Sequence, residues 1–231
     1  MLYDQSLPIR DNVRQSHQAA LDQIASPGTW FTAAERLAIL SEARRAKQCS
    51  LCAKRKQAIS PYIVDGHHES VTNLSTDAIE VIHRVITDSG RLTERWFIDM
   101  TSRDLTAEKY IEIIGVVATS IIIDSYSVAL DCELAAPGQP APGEPSKQNN
   151  HQVFDGGAWV PMLDAPQQAS ETGLPTQPNI GRAMGLVPSA IALFFPVMRS
   201  HYSLSDIELG ISREQIELLA SRVSSHNQCF Y

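Results

Sequence analysis

Apolar residues recur at helical intervals along most of this 231-residue chain, and the pattern predicts an all-α protein. The clearest helix begins at a capping box, in which the Thr32 and Glu35 side chains satisfy free N–H groups of the first turn. Apolar positions then continue at helical spacing towards Cys49. Further helical stretches are predicted over 8–26, 75–86, 92–100, 106–130, 187–199 and from 212 to the end.

The stretch 135–180 has a different composition from the rest of the chain. It is rich in proline and glycine, which disfavour regular helices and strands, and we interpret it as a long connector or lid. The sequence therefore divides into a first unit at 1–134, the connector at 135–180 and a second, shorter unit at 181–231.

Charge and composition exclude several classes of protein. The 26 acidic and 19 basic residues give a net charge of −7, and the basic residues are scattered, so we expect no nucleic-acid partner. No export signal is recognisable at the start, which predicts a cytoplasmic protein. The apolar run from Ile111 to Leu130 contains Glu112 and Asp124, and it is interpreted as a buried helix, not a membrane span. Motifs of nucleotide enzymes, serine hydrolases and common zinc proteases are absent from the sequence.

The cysteines point to redox or metal chemistry. Four are too few for a disulfide framework in a chain of this length, and Cys49 and Cys52 form a C-x-x-C. At a helix start the backbone dipole lowers the pKa of a thiol and favours the reactive thiolate. The alternatives are an inert buried pair or half of a zinc site, but no second C-x-x-C completes a four-ligand set, and we predict no metal. Cys132 is interpreted as a small core residue.

The last predicted helix repeats the organisation of the second one. Thr32 precedes Cys49 by 17 residues, and Ser212 precedes Cys229 by 17 residues. A second thiol-type residue, three positions after Cys229, would lie just beyond Tyr231. The sequence thus suggests a motif cut short, either by simple loss of the tail or because a selenocysteine codon was read as a stop.

These units resemble the superfamily of alkylhydroperoxidase D and carboxymuconolactone decarboxylase, all-helical oligomers in which a helix leads into a C-x-x-C. The segment 211–231 looks like the helix that enters that active site, Glu35–Cys52 looks like a diverged copy, and 110–119 looks like the helix that follows. The resemblance implies a fold that uses the unit twice, a homo-oligomer, and reduction by a small dithiol protein or lipoyl-type donor. It also implies that Cys52 attacks a peroxide and that Cys49 resolves the sulfenic acid.

The peroxidase branch has a glutamate twelve residues before the first cysteine and a histidine four residues after the second. Glu217 stands at the glutamate position ahead of Cys229. In the first unit, Leu37 and Lys56 occupy the two positions instead. The resemblance therefore supports the fold more strongly than it supports peroxidase activity.

A proton carrier for the first unit must come from elsewhere. His83, in an apolar helical run, and the adjacent loop residues His67 and His68 are the candidates, and His83 is selected. A packed core histidine is the alternative for His83. Metal binding by His67 and His68 together is disfavoured because neighbouring side chains usually point apart.

Glu42 would lie on the cysteine side of a continuous helix, seven residues before Cys49, but it is interpreted as a partner for Arg45 or Lys47. The predicted site residues are Cys49, Cys52, His83, Glu217 and Cys229.

The sequence thus predicts a thiol peroxidase that cycles between dithiol and disulfide, acts on a hydroperoxide or other small molecule and needs no cofactor. Two alternatives remain. One is a decarboxylase-like enzyme acting on a small organic acid or lactone, with the cysteines as structural remnants. The other is a non-catalytic, redox-sensing oligomer whose contacts respond to a Cys49–Cys52 bond.

Overall fold

The computed structural model describes residues 2–3, 8–148, 150, 152–163, 179–202 and 209–226. Over these residues the protein is mostly helical, which confirms the predicted all-α class at this level. The helices are α1 (Asp11–Ile24), α2 (Ala33–Ala46), α3 (Ser50–Gln57), α4 (Thr76–Asp88), α5 (Glu94–Thr101), α6 (Ala107–Ala129), α7 (Asn179–Met184), α8 (Pro188–His201) and α9 (Arg213–His226). The short 3₁₀ turns are Pro61–Ile63 and Ser89–Arg91, and the strands are β1 (Val153–Phe154) and β2 (Met162–Leu163).

The predicted capping box at the start of α2 is confirmed. The Thr32 hydroxyl accepts a hydrogen bond from the Glu35 amide, and the Glu35 carboxylate accepts one from the Thr32 amide. Ser75, Thr93 and Thr106 cap α4, α5 and α6 in the same way with their hydroxyl groups. Each cap satisfies an N–H group that the helix itself cannot, so the helices begin where these residues stand.

Helix α6 runs through the core and packs against α8, α2 and α4. Its apolar residues include Ile113 and Val117, which are fully buried. Gly115 faces Ala190 on α8, and a Cβ at Gly115 would lie 2.8 Å from that of Ala190, so the glycine permits the close approach of the two helices. Among the described residues, α6 alone has the length and composition to cross a membrane, but 56% of its most apolar stretch is buried inside the protein.

A buried carboxylate ties the turn between α1 and α2 to α6. Glu112 accepts hydrogen bonds from the backbone N–H groups of Thr29 and Trp30, at 3.2 and 2.6 Å. The Arg36 guanidinium lies 3.7 Å from it. Burial raises the pKa of Glu112. Gly28 passes so close that an added Cβ would lie 1.7 Å from a Glu112 oxygen.

A cluster of aromatic and histidine rings joins α1 to α8. His17 is fully buried. Its Nε2 lies 2.7 Å from Nε2 of His201, and its Nδ1 lies 2.5 Å from the Tyr3 hydroxyl. The Tyr126 ring packs against both histidines. Burial, followed by the neighbouring His201, lowers the pKa of His17 to about 4. The folded protein therefore holds His17 neutral at ordinary pH.

The stretch 135–180 is more regular than its composition suggested. Strands β1 and β2 pair antiparallel, with Val153 opposite Leu163. Gly157 adopts a φ of +76° in the intervening turn, and the buried strand β2 packs against α7, which begins at Asn179. The expectation of no regular element was wrong here because two-residue strands leave almost no periodic signal.

Helix α8 is continuous although it contains two prolines. Pro188 stands in the first turn, where a missing N–H costs little, and Pro196 lies inside the helix. The neighbouring residues Phe195 and Val197 are buried in the core. Packing of α8 against α1 and α6 outweighs the propensity of one proline.

Helix α9 shares local features with α2 but not its packing. Both have 14 residues, and the Ser212 and Gln215 side chains form a reciprocal cap like that of Thr32 and Glu35. In contrast to α2, none of the residues of α9 is buried.

Candidate functional site

The C-x-x-C lies at the start of α3, immediately after α2. The Cys49 amide donates to the Ala46 carbonyl at the end of α2, and Cys49 is the residue before the first turn of α3. Both side chains are buried, with 1% of Cys49 and 3% of Cys52 exposed. Leu51 and Val64 pack against them. The cysteine pair therefore stands at a helix start, as predicted, and both side chains are covered from solvent.

Helix α3 has eight residues and is held at both ends. At its start, the Ser50 hydroxyl donates to the carboxylate of Glu69. At its end, the Arg91 guanidinium donates to the carbonyls of Arg55 and Ala58, at 2.8 Å each. The bonds from Arg91 satisfy backbone carbonyls at the end of α3. The contacts at both ends fix the direction of α3, and hence the positions of the two sulfur atoms.

His83 joins Cys52 to a buried carboxylate. Its Nδ1 lies 3.3 Å from Cys52 Sγ, and its Nε2 lies 3.0 Å from Glu42 Oε2. Neither His83 nor Glu42 has any exposed surface. Burial lowers the pKa of His83 despite the neighbouring carboxylate. An ionised carboxylate can only accept, so we assign the ring proton to Nε2, which leaves Nδ1 free to accept the Cys52 proton.

Glu42 also holds residues 70–72, in the loop that follows the 3₁₀ turn Pro61–Ile63. Its Oε1 accepts hydrogen bonds from the Ser70 hydroxyl at 2.5 Å and from the Val71 amide and Thr72 hydroxyl at 2.8 Å each. Burial raises the pKa of Glu42, but these bonds and the one from His83 outweigh it and lower the pKa overall.

The interpretation of Glu42 as a partner for Arg45 or Lys47 was wrong. Arg45 pairs with Glu69 instead, at 2.8 Å. Helical spacing placed Glu42 on the cysteine side of α2, and that side proves to be the interior of the protein. A buried carboxylate needs several donors, and the 70–72 loop and His83 provide them.

A second histidine approaches both sulfur atoms. His68 Nδ1 lies 3.6 Å from Cys49 Sγ and 3.5 Å from Cys52 Sγ. Its Nε2 lies 2.7 Å from Glu80 Oε2, to which Arg55 also donates at 2.7 Å. The site therefore contains two histidines, each with Nδ1 towards sulfur and Nε2 towards a carboxylate.

The charges around His68 are arranged to stabilise anions at the thiols. Burial lowers the pKa of His68, but its bonds to Cys52, Glu80 and Cys49 outweigh burial and raise the pKa to about 10. Glu80 is partly buried, and burial raises its pKa, but hydrogen bonds and charges from His68 and Arg55 outweigh burial and bring the pKa down to about 2. Burial raises the pKa of Cys49, whereas hydrogen bonding from the backbone of Glu69 and Cys52 and from His68 lowers it, to about 7 overall. A thiol of low pKa is a good leaving group when a disulfide is opened.

The turn at Gly66 explains why only one of the adjacent histidines enters the site. Gly66 has a φ of +151°, and a Cβ there would lie 3.0 Å from the Leu51 side chain. The loop can therefore lie against α3 only with glycine at this position. After it the backbone directs His68 inwards, while His67 is exposed.

The structure brings together three of the predicted site residues, Cys49, Cys52 and His83. Glu217 lies on α9, where it accepts from the Tyr202 hydroxyl and pairs with Arg213. None of these contacts joins it to the cysteine pair. Cys229, and any residue that follows Tyr231, lie outside the described residues.

Cys132 is partly exposed, although it was interpreted as a core residue. Its thiol lies 3.6 Å from the Leu130 carbonyl, just after the end of α6, and it faces a cavity lined by Tyr3 and 133–136.

Three site residues were not selected from the sequence. His68 was considered as a proton carrier, and its position after Gly66 in a Gly-His-His turn was the available signal. Glu42 was considered for its spacing from Cys49. Glu80, three residues before His83 on α4, gave no signal of its own, because a glutamate on an amphipathic helix is ordinarily exposed.

Comparison of the chain with protein-family models, with curated proteins and with solved structures finds no match.

Proposed function

We propose that the protein is a thiol–disulfide oxidoreductase that reduces hydroperoxides through Cys49 and Cys52. The observation that carries the proposal is the contact chain Cys52–His83–Glu42, with 3.3 Å from Sγ to Nδ1 and 3.0 Å from Nε2 to Oε2. It supplies a nucleophile, a base in the correct tautomer and a group that orients the base.

The proposed catalytic cycle has three steps. The thiol proton of Cys52 passes to His83, the thiolate attacks a peroxide oxygen, the O–O bond breaks, and the alcohol or water leaves with that proton. Cys52 is then a sulfenic acid. The Cys49 thiol attacks this sulfur, an S–S bond forms and water leaves. A dithiol reductant, either a small protein or a lipoyl-type donor, finally gives two electrons and two protons to the disulfide.

The resemblance to the alkylhydroperoxidase D superfamily supports the same proposal. That resemblance implies a glutamate and a histidine beside a C-x-x-C, although Leu37 and Lys56 occupy the positions where they would stand in sequence. Glu42 and His83 offer the same functional groups from another place on α2 and from α4. A helical, two-unit oligomer located in the cytoplasm remains part of this proposal.

The covered thiols restrict the substrate. Because Cys49 and Cys52 are almost fully buried and His68 lies over both sulfurs, a peroxide reaches them only when the 65–72 loop shifts. We therefore propose hydrogen peroxide and small alkyl hydroperoxides as substrates, with bulky hydroperoxides reacting more slowly.

The test is a stopped-flow measurement with chelator-treated, fully reduced protein and hydrogen peroxide. Rapid consumption is expected for the wild type and for Cys132→Ser, and its loss is expected for Cys52→Ser. His83→Gln removes the base and should slow the reaction by about 100-fold, whereas His67→Gln, which alters an exposed neighbour of the site, should not.

The roles of the two sulfurs are separated by trapping. In Cys49→Ser, the sulfenic acid cannot be resolved and should be captured on Cys52 by a sulfenic-acid reagent, as located by mass spectrometry. Peroxide consumption that survives Cys52→Ser, or a wild type that consumes none, would reject the proposal.

A further inference from the structure

The cysteines and both histidines converge on one point. Cys49 Sγ, Cys52 Sγ, and a ring nitrogen each of His68 and His83 all lie within 4.8 Å of one another. A dithiol redox site needs two sulfurs and one base. The second imidazole, facing the same point, is more than that chemistry requires.

The spacing of these atoms matches a tetrahedral metal site. Zinc binds sulfur at about 2.3 Å and histidine nitrogen at about 2.0–2.1 Å, so neighbouring sulfur and nitrogen ligands are separated by about 3.6 Å. The measured sulfur–nitrogen distances are 3.3 Å from Cys52 to His83, 3.5 Å from Cys52 to His68 and 3.6 Å from Cys49 to His68.

The outer hydrogen bonds supply independent support. Histidines that bind zinc almost always donate their other ring N–H to a carboxylate, a backbone carbonyl or water, which fixes the tautomer and the ring orientation. His68 does so to Glu80, and His83 does so to Glu42. Arg55 in turn holds Glu80, and both histidine–carboxylate pairs are largely buried.

We propose that the reduced protein binds one divalent zinc ion through Cys49, Cys52, His68 and His83. Two thiolates balance the charge of the ion, and two thiolates with two imidazoles form a closed set of four ligands, which is typical of a structural site. A Cys49–Cys52 disulfide would remove two ligands, so metal binding and the oxidised state exclude each other. The inference depends on the reduced dithiol and not on peroxidase activity.

The test begins with protein reduced under anaerobic conditions, freed of metal by a chelator and titrated with cobalt(II). We expect one cobalt per chain and the visible absorption of tetrahedral cobalt with thiolate ligands, displaced by an equivalent of zinc. Protein with the disulfide formed should show no such spectrum.

Neighbouring residues provide matched variants. His68→Ala removes one ligand from a loop and should abolish the four-ligand spectrum, while His67→Ala, one position away and exposed, should leave it unchanged. Glu80→Gln should weaken zinc binding by about 10- to 100-fold, because it removes the carboxylate that orients His68 and leaves all four proposed ligands in place. Circular dichroism of each variant checks the helical fold.

Two results would overturn the metal site: a reduced wild type that binds no cobalt in tetrahedral form, or a folded His68→Ala protein with the wild-type spectrum. Neither measurement involves peroxide, and peroxide consumption is measured on metal-free protein. The metal site and the proposed peroxidase function can therefore fail separately.

Discussion

Glu42 and His83 meet at 3.0 Å between Oε2 and Nε2 with no exposed surface on either side chain. They belong to different helices, α2 and α4, and the contact fixes both the ring that faces Cys52 and the packing between the helices. This pair is therefore a joint determinant of stability and of site geometry.

Replacing Glu42 by glutamine should affect both properties. The NH₂ group of glutamine must face either His83, whose ring then has to change tautomer, or the donors of 70–72, and hydrogen bonds to an ionised carboxylate are lost in either case. We expect a loss of about 2–4 kcal/mol in the free energy of unfolding, measured by urea denaturation. Glu133→Gln, at an exposed position, is the control and should change stability by less than about 0.5 kcal/mol. Equal stability of the two variants would contradict the role of Glu42.

Two glycine-to-alanine substitutions should have opposite outcomes. At Gly28 the new Cβ would lie 1.7 Å from a Glu112 oxygen, so the turn or α6 must shift, and we expect a loss of at least about 2 kcal/mol. At Gly90 no atom lies within 4 Å, so alanine should be neutral or stabilising by up to about 1 kcal/mol. Thermal and urea unfolding of both variants make the comparison.

His17 should make the stability depend on pH. Its pKa is about 4 in the folded protein, against an ordinary value of 6.5 for histidine, because burial, and then His201, disfavour the charged ring. The unfolded chain thus binds the proton first as the pH falls, so the contribution of His17 is complete above about pH 6.5 and is lost towards pH 4. The loss is at most about 3 kcal/mol.

The measurement is urea denaturation at pH 7 and pH 5 of the wild type, His17→Gln and the exposed control His67→Gln. His17→Gln should show a smaller difference in stability between the two pH values than the other two proteins. Besides His201, the titratable groups facing His17 are Tyr3 and Tyr126, and Arg10 lies near His201. A difference that is unchanged in His17→Gln would show that His17 is not the group responsible.

Arg91 should matter for the position of the thiols. Arg91→Ala leaves the carbonyls of Arg55 and Ala58 without this donor, and we expect a loss of about 1–2 kcal/mol. Amide hydrogen exchange should accelerate most in α3. Arg95→Ala, on an exposed part of α5, should leave the exchange of α3 unchanged.

Much of the fold could be predicted from the sequence because its signals are local. The caps at Thr32 and Thr106 and the apolar periodicity that follows them defined α2 and α6 to within a few residues. The hairpin of β1 and β2 could not be predicted, since two residues cannot show a period and its stability comes from packing against α7.

Three residues of the site, Cys49, Cys52 and His83, were predicted from the sequence, but their partners were not. Cys49 and Cys52 are recognisable in the sequence by their spacing. The partners of His83 and His68 are not, because they are set by how α2, α4 and the 65–72 loop pack together. Glu42 resembled a surface residue because a charged side chain in a helix usually is one. Only the three-dimensional arrangement shows that its donors lie inside.

Cys49 and Cys52 are buried beneath the 65–72 loop, whereas Cys132 is partly exposed. The rates at which these thiols are labelled therefore measure how often the loop opens. An alkylating reagent should label Cys132 at once, but it reaches the covered pair only during the fraction of time in which the loop is detached. The slow labelling rate, divided by the rate for a free thiol, is then an equilibrium constant for that opening. It would give the free energy that holds the loop closed without unfolding the protein.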